Sequence, residues 1–169
     1  MTIWTFLAGG VGVVALAAAG TMLLPRFVHV ERHAELSAEP KAVLALAASN
    51  KGYQSFNPYL SADAGLKIEH FGPESGIGSG FKFDGKDGKG SQTVVAISAE
   101  RVRYDIDLGS MGSPVQEIAA VPSPEGTLVT WSMKMDLGFN PVARILGLFM
   151  DGMVGKTFEQ GLDNLETAT

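Results

Sequence analysis

The chain has 169 residues, 46% hydrophobic and 18% charged, with a formal net charge of −5 and no cysteine. That is room for one ordinary domain, with too much apolar material for a disordered chain and none of the basic striping that nucleic-acid binding needs. Without cysteine there can be no disulfide framework, thiolate zinc site or cysteine nucleophile.

The 13 basic and 18 acidic residues all lie from Arg26 onward. Before them, Ile3 to Leu24 is a run of 22 uncharged residues. As a helix it would span roughly 33 Å, enough for a bilayer core of about 30 Å. Trp4 suits one membrane interface and Pro25-Arg26 closes the other end. Residues 1–25 therefore read as an N-terminal transmembrane anchor. The alternative is a cleaved signal peptide, suggested by Ala17-Ala18-Ala19, although Met1-Thr2 offers no basic n-region. Arg26 and Arg32 place the following domain on the cytoplasmic side by the positive-inside rule, with an extracytoplasmic side as the alternative.

Residues 26–169 read as one domain. Phe27 to Leu36 alternates, with Val28, Val30, Ala34 and Leu36 on one face and His29, Glu31, His33 and Glu35 on the other. Arg32 is the one charge on the apolar side, and a buried charge needs a partner. Ser37 offers an N-cap and Pro40 a first turn for a helix to about Ser49. Asn50-Lys51-Gly52 ends it, before an aromatic stretch with Tyr53, Phe56 and Tyr59.

Six strands follow over 66–71, 78–84, 91–98, 101–108, 115–121 and 127–137, with a hairpin turn in the Gly/Asp/Lys-rich 84–90. The last places Thr127, Val129, Trp131, Met133, Met135 and Leu137 on one face. Glu117 shares its phase with Val115, Ala119 and Val121. From Pro141 to about Glu166 the period becomes helical, with an apolar stripe that includes Leu146, Phe149, Met150, Met153, Val154, Phe158, Leu162 and Leu165. Antiparallel strands with segregated helices make an α+β arrangement, a curved sheet of about seven strands gripping a long C-terminal helix.

Val28-His29-Val30-Glu31-Arg32, the helix start Ala38-Glu39-Pro40-Lys41-Ala42-Val43, and Phe71-Gly72-Pro73-Glu74-Ser75-Gly76-Ile77-Gly78 occur in this order. Val129-Thr130-Trp131-Ser132-Met133 and Phe149-Met150-Asp151-Gly152-Met153-Val154-Gly155, leading to Phe158-Glu159-Gln160-Gly161-Leu162, complete the series. With these segments the chain resembles the START-like (SRPBCC) superfamily, in its polyketide cyclase/dehydrase and lipid-transport branch. The resemblance implies a helix-grip fold with an apolar cavity between sheet and long helix, and a lipid, polyketide or other hydrophobic ligand within it. It departs at Phe56-Asn57-Pro58-Tyr59, where relatives commonly carry Ser-Pro-Trp.

Chemical motifs are few. The glycine-rich 72–80 precedes a strand and not a helix, so it reads as a turn and not a phosphate loop. His29 and His33 are too far apart on one strand face to share a metal ion, and no metal or cofactor is expected. His70 shares a face with Leu66 and Ile68, which makes it the single candidate acid/base. No triad or nucleophile elbow is present.

The pocket-lining candidates, by phase, are Tyr53, Phe56, Tyr59, His70, Phe81, Phe83, Tyr104, Trp131, Met133, Phe149 and Met153, with Met135 in the same phase. The leading expectation is a membrane-anchored binding module for a hydrophobic small molecule or lipid, attached through residues 3–24 and not binding nucleic acid. The alternatives are a cyclase or dehydratase using His70 with a cavity tyrosine, and a structural or interaction protein with a filled core.

Overall fold

The computed structural model describes residues 20–169, so most of the predicted membrane-spanning run lies outside the described residues. Among the described residues no helix is long and apolar enough to cross a membrane.

The chain runs β1 (Phe27–Leu36), α1 (Pro40–Ala47), α2 (Asn50–Phe56), α3 (Pro58–Ala62), β2 (Lys67–Phe71), β3 (Gly80–Gly85), β4 (Gly88–Ile97) and β5 (Arg101–Asp107). A short 3₁₀ turn (Gly109–Met111) leads to β6 (Val115–Ser123), β7 (Gly126–Asp136) and the 28-residue α4 (Pro141–Ala168). The strands form one antiparallel sheet in the order β1-β7-β6-β5-β4-β3-β2. Consecutive strands are neighbours except β1 and β2, which take opposite edges and are joined through the three short helices. This is the predicted α+β helix-grip arrangement, with α4 packed on the inner face of the sheet.

Alternation places the core. Val28, Val30 and Leu36 of β1 are buried, as are Thr127, Val129, Trp131, Met133 and Met135 of β7, the faces the period-2 pattern selects. Trp131 is fully buried and stacks on Phe158 of α4, with centroids 5.0 Å apart and planes 14° apart. Gly161 makes that approach possible, because a Cβ there would overlap the indole ring. Gly155 plays the same part for Arg32, whose guanidinium lies against it. Arg32 Nε donates to Glu159 Oε1 at 2.8 Å and Nη1 to Asp151 Oδ1 at 3.1 Å, so α4 supplies both partners of the one charged residue on the inner side of β1.

Four details differ from expectation. The N-cap of α1 is Glu39, without a side-chain cap bond; Ser37 instead donates from N and Oγ to the Glu166 carboxylate, at 3.1 and 3.0 Å, tying the end of α4 to the end of β1. The aromatic stretch is helical: Ser49 Oγ caps α2 through Gly52 N, and Asn57 Oδ1 caps α3 through Tyr59 N. A register shift between Val94 and Ala96 interrupts the alternation of β4. On β6 the inner face is Gln116, Ile118 and Ala120, opposite Met133, Trp131 and Val129. Glu117 therefore lies on the outer face and pairs with Arg101 at 3.1 Å.

Candidate functional site

The inner face is packed solid at one end and open at the other. A cavity of about 310 Å³ lies between the sheet and the middle of α4. Phe81 and Phe83 of β3, Gln92 of β4, Ile106 of β5, Gln116 of β6, and Met133 and Met135 of β7 form one wall. Met150, Val154 and Phe158 of α4 form the other, and Tyr53, Asn57, Tyr59, Asp63 and Leu66 close the side. Tyr59, Asp87, Lys89 and Met111 line it while reaching solvent, so they mark its opening. Gly152, between Met150 and Val154 in sequence, is exposed on the helix side turned away from the cavity, with open space where a Cβ would stand.

The short capped helices position the tyrosines. Asn57 and Pro58 break the helical path between α2 and α3, so Tyr53 points into the buried interior while Tyr59 sits at the rim. Tyr53 is 4.8 Å from Phe56 and 5.3 Å from Phe81, centroid to centroid. Its hydroxyl accepts a hydrogen bond from Gln116 Nε2 at 3.0 Å, and Gln92 is a second amide neighbour of the same group. Gln92 and Gln116 are both buried.

Burial pushes the Tyr53 phenol above its usual range, and the two amides only partly offset it. Tyr53 is thus a neutral hydroxyl, a hydrogen-bonding group and not a base. Asp63 at the rim accepts from the Lys86 and Gly65 backbone N–H groups, which hold its carboxyl below the usual range and keep it ionised. The result is a chamber rich in aromatic and methionine side chains, with a neutral polar cluster in its inner wall and charged groups at its rim.

The sequence-derived candidates separate into three groups. Tyr53, Tyr59, Phe81, Phe83, Met133 and Met135 line the cavity. Phe56, Tyr104 and Trp131 are absent from its lining: each is fully buried in the packed core, and the Tyr104 hydroxyl donates to Ala47 O at 2.7 Å. His70, Phe149 and Met153 are exposed and away from the cavity. His70 pairs with Phe81 across β2 and β3 and so keeps the inner phase, but β2 is the edge of the sheet and leaves it in solvent. The acid/base pair of His70 with a cavity tyrosine is therefore not assembled. A wholly filled core is likewise replaced by a core filled at one end.

Gln92, Gln116, Leu66, Ile106, Met150 and Val154 line the cavity without having been singled out from the sequence as pocket residues. The signal available for Gln116 was its phase with Ile118. Among the described residues, no three His, Asp or Glu side chains gather where they could hold a metal ion.

Solved structures share this architecture. Norcoclaurine synthase from Thalictrum flavum, in complex with dopamine and hydroxybenzaldehyde, is 12% identical with a TM-score of 0.62, over 87% of this chain and 88% of that one. Ginseng major latex-like protein 151 from Panax ginseng is 16% identical with a TM-score of 0.59, over 85% and 97%. The di-domain aromatase/cyclase StfQ of the steffimycin biosynthetic pathway is 14% identical with a TM-score of 0.60, over 83% of this chain and 50% of that one. At these identities the likeness is one of fold. No curated protein matches the chain in sequence. The family model for polyketide cyclase / dehydrase and lipid transport matches residues 28–169, nearly the whole of the described domain, and the chain belongs to that SRPBCC family.

Proposed function

We propose that this protein is a membrane-anchored binding module that holds a hydrophobic small molecule or lipid bearing one hydrogen-bonding oxygen. The observation that carries the reading is the cavity of about 310 Å³ with Tyr53, Gln92 and Gln116 among the apolar side chains of its inner wall, the charged Asp63, Asp87 and Lys89 standing at its rim. Pockets for drug-sized ligands begin at about 300 Å³ and pair apolar surface with a few placed polar groups. The ligands named for norcoclaurine synthase, dopamine and hydroxybenzaldehyde, are compact aromatics with oxygen substituents, a class that suits this chamber. Catalysis is not part of the proposal, since the polar cluster is neutral and His70 stands outside. The anchor is the uncharged run from Ile3 to Leu24.

Native mass spectrometry of the full chain released from lipid nanodiscs tests the reading. The wild type should retain an apolar ligand, and Met133→Trp, which fills the chamber, should lose it. Tyr53→Phe should weaken a carbonyl- or hydroxyl-bearing ligand about tenfold, the equivalent of roughly 1.4 kcal/mol, and leave a pure hydrocarbon unaffected. A wild-type chain that neither carries nor takes up any apolar molecule would falsify the proposal.

A further inference from the structure

The first half of α4 carries an apolar face that nothing in the described chain covers. Val142, Ile145, Leu146, Phe149 and Met153 are exposed, Phe149 at 60% and Met153 at 71%. Their spacing of three, one, three and four residues puts them on one side of the helix. The same side continues past Met153 as Lys156, Gln160, Asp163 and Thr167. One face is therefore apolar for three turns and polar for the next four, a division along the helix that core packing does not explain.

The apolar half lies where the uncharged N-terminal run ends. Arg144, in the first turn of α4 and 5% exposed, donates from Nη1 to Met22 O at 2.8 Å and to Leu24 O at 3.2 Å. The last residues of the run are thereby fixed to the start of α4. Around this joint stand Leu23, Phe27 and Phe139, 90%, 66% and 75% exposed. The Arg26 guanidinium lies over both rings, 5.2 Å from the Phe27 centroid and 5.5 Å from that of Phe139. Aromatic rings paired with arginine at the end of an apolar run are the chemistry of a membrane interface.

The charges nearby are neutralised: Arg26 by Asp136 at 2.6 Å, and Asp151 by Arg32 at 3.1 Å. The patch thus presents hydrocarbon without an unpaired carboxylate facing it.

We infer that the first half of α4, with Phe27 and Phe139, lies against the surface of a lipid bilayer and holds the domain flat on it. The inference rests on the proposed anchor, since Arg144 brings the end of the 22-residue uncharged run to this face. Binding draws on apolar burial in the headgroup region, so it does not depend on anionic lipid. Phe149 on the bilayer side and Met150 in the cavity wall are successive residues about 100° apart around the helix. The membrane-facing strip thus borders the ligand chamber.

The absence of cysteine makes the test clean. Full-length Met153→Cys and Gln160→Cys each carry a single thiol on the same helix side, labelled with an environment-sensitive fluorophore. The chain is reconstituted into phosphatidylcholine vesicles, with or without lipids bearing a nitroxide on the acyl chain. The label at 153 should shift to the blue and be quenched several-fold more than the label at 160, with circular dichroism unchanged. Equal, weak quenching at both positions overturns the inference. A blue-shifted but unquenched label at 153 also overturns it, showing that protein covers the face, either residues 1–19 or a second copy. Flotation after carbonate washing separates the two readings: a chain that does not float removes the anchor and this inference together, while one that floats with 153 unquenched removes only this inference.

Discussion

Strand β7 presents one inner face with two fates. Val129 and Trp131 disappear into a packed core, while Met133 and Met135, two and four residues further along the same face, line a chamber. The strand supplies large apolar side chains at both ends, so the sheet does not decide which end stays open. The facing helix does. Beyond Gly155, α4 offers Phe158, Leu162 and Leu165, and Gly161 lets the indole close onto the helix. Before Gly155 it offers Met150 and Val154 opposite methionines, which tolerate loose packing. A helix-grip domain can thus tune the size of its chamber from one turn of one helix.

The largest predicted effect lies at the packed end. Trp131→Ala should cost about 3–5 kcal/mol of stability, as for large-to-small changes in rigid cores, read by urea unfolding. Gly161→Ala should also destabilise, by about 1–3 kcal/mol through overpacking against the indole. If either is tolerated within a few tenths of a kcal/mol, the contrast between the ends fails.

At the open end Met133→Ala should cost about 2 kcal/mol, the lower limit for such truncations, because the side chain already borders empty space. The sharper readout is a higher affinity for a bulkier apolar probe in a fluorescence titration. Equal losses for Trp131→Ala and Met133→Ala would show the two ends to be packed alike.

A smaller effect is expected at Gly152, where no neighbour needs the missing methyl. Gly152→Ala should stabilise the fold by about 0.5–1 kcal/mol through helix propensity alone, whereas Gly155→Ala should destabilise by displacing Arg32. Thermal denaturation of the pair would expose any error in the assignment of these two glycines.

The pH profile is set from both sides. Hydrogen bonding to Arg26, helped by the Gly138 N–H, holds the Asp136 carboxyl down at about 2 from its ordinary 3.8. Its contribution is therefore present above pH 3.8 and is lost as pH falls through about 2. Asp136→Asn should flatten the acid limb of a stability–pH curve, a modest change because the pair is exposed. On the alkaline side burial raises Tyr53, Tyr59 and Tyr104 above their ordinary 10.0. For the buried Tyr53 and Tyr104 that stability is present below pH 10 and lost above it, so two of the three tyrosinates should appear only with unfolding, whereas Tyr59, 44% exposed at the rim, ionises in the folded chain. A rise worth more than one tyrosine at the ordinary phenol pH would mean the buried pair is wetter than the structure places it.

Much of the fold was legible because β1, β5 and β7 alternate and the later part of α4 repeats at helical spacing. Illegible parts share a cause: local pattern was ambiguous and a distant partner chose. On β6 both faces carry apolar residues, so the pairing of Ile118 with Trp131, and not hydropathy, turns Gln116 inward. Ser37 looked like a cap and was taken by Glu166. Residues 145–154 are apolar around most of the helix, so no period distinguished Met150 and Val154, which face the chamber, from Phe149 and Met153, which do not. For the site, aromatic and methionine positions were readable from phase. The polar cluster was not, because a lone glutamine in a strand reads as surface until its neighbours are known.

The clamp of Arg32 has a mechanical meaning. One guanidinium on β1 holds two carboxylates of α4, Asp151 and Glu159, eight residues and so about 12 Å apart along the helix. Val154 and Phe158 of the chamber wall lie within that braced span, and Met150 directly precedes it. An occupant that pushed the helix off the sheet would have to stretch these ion pairs as well as unpack apolar contacts. The chamber is thus a frame of nearly fixed width, and adjustment to the shape of an occupant falls to the rotamers of Met133, Met135 and Met150.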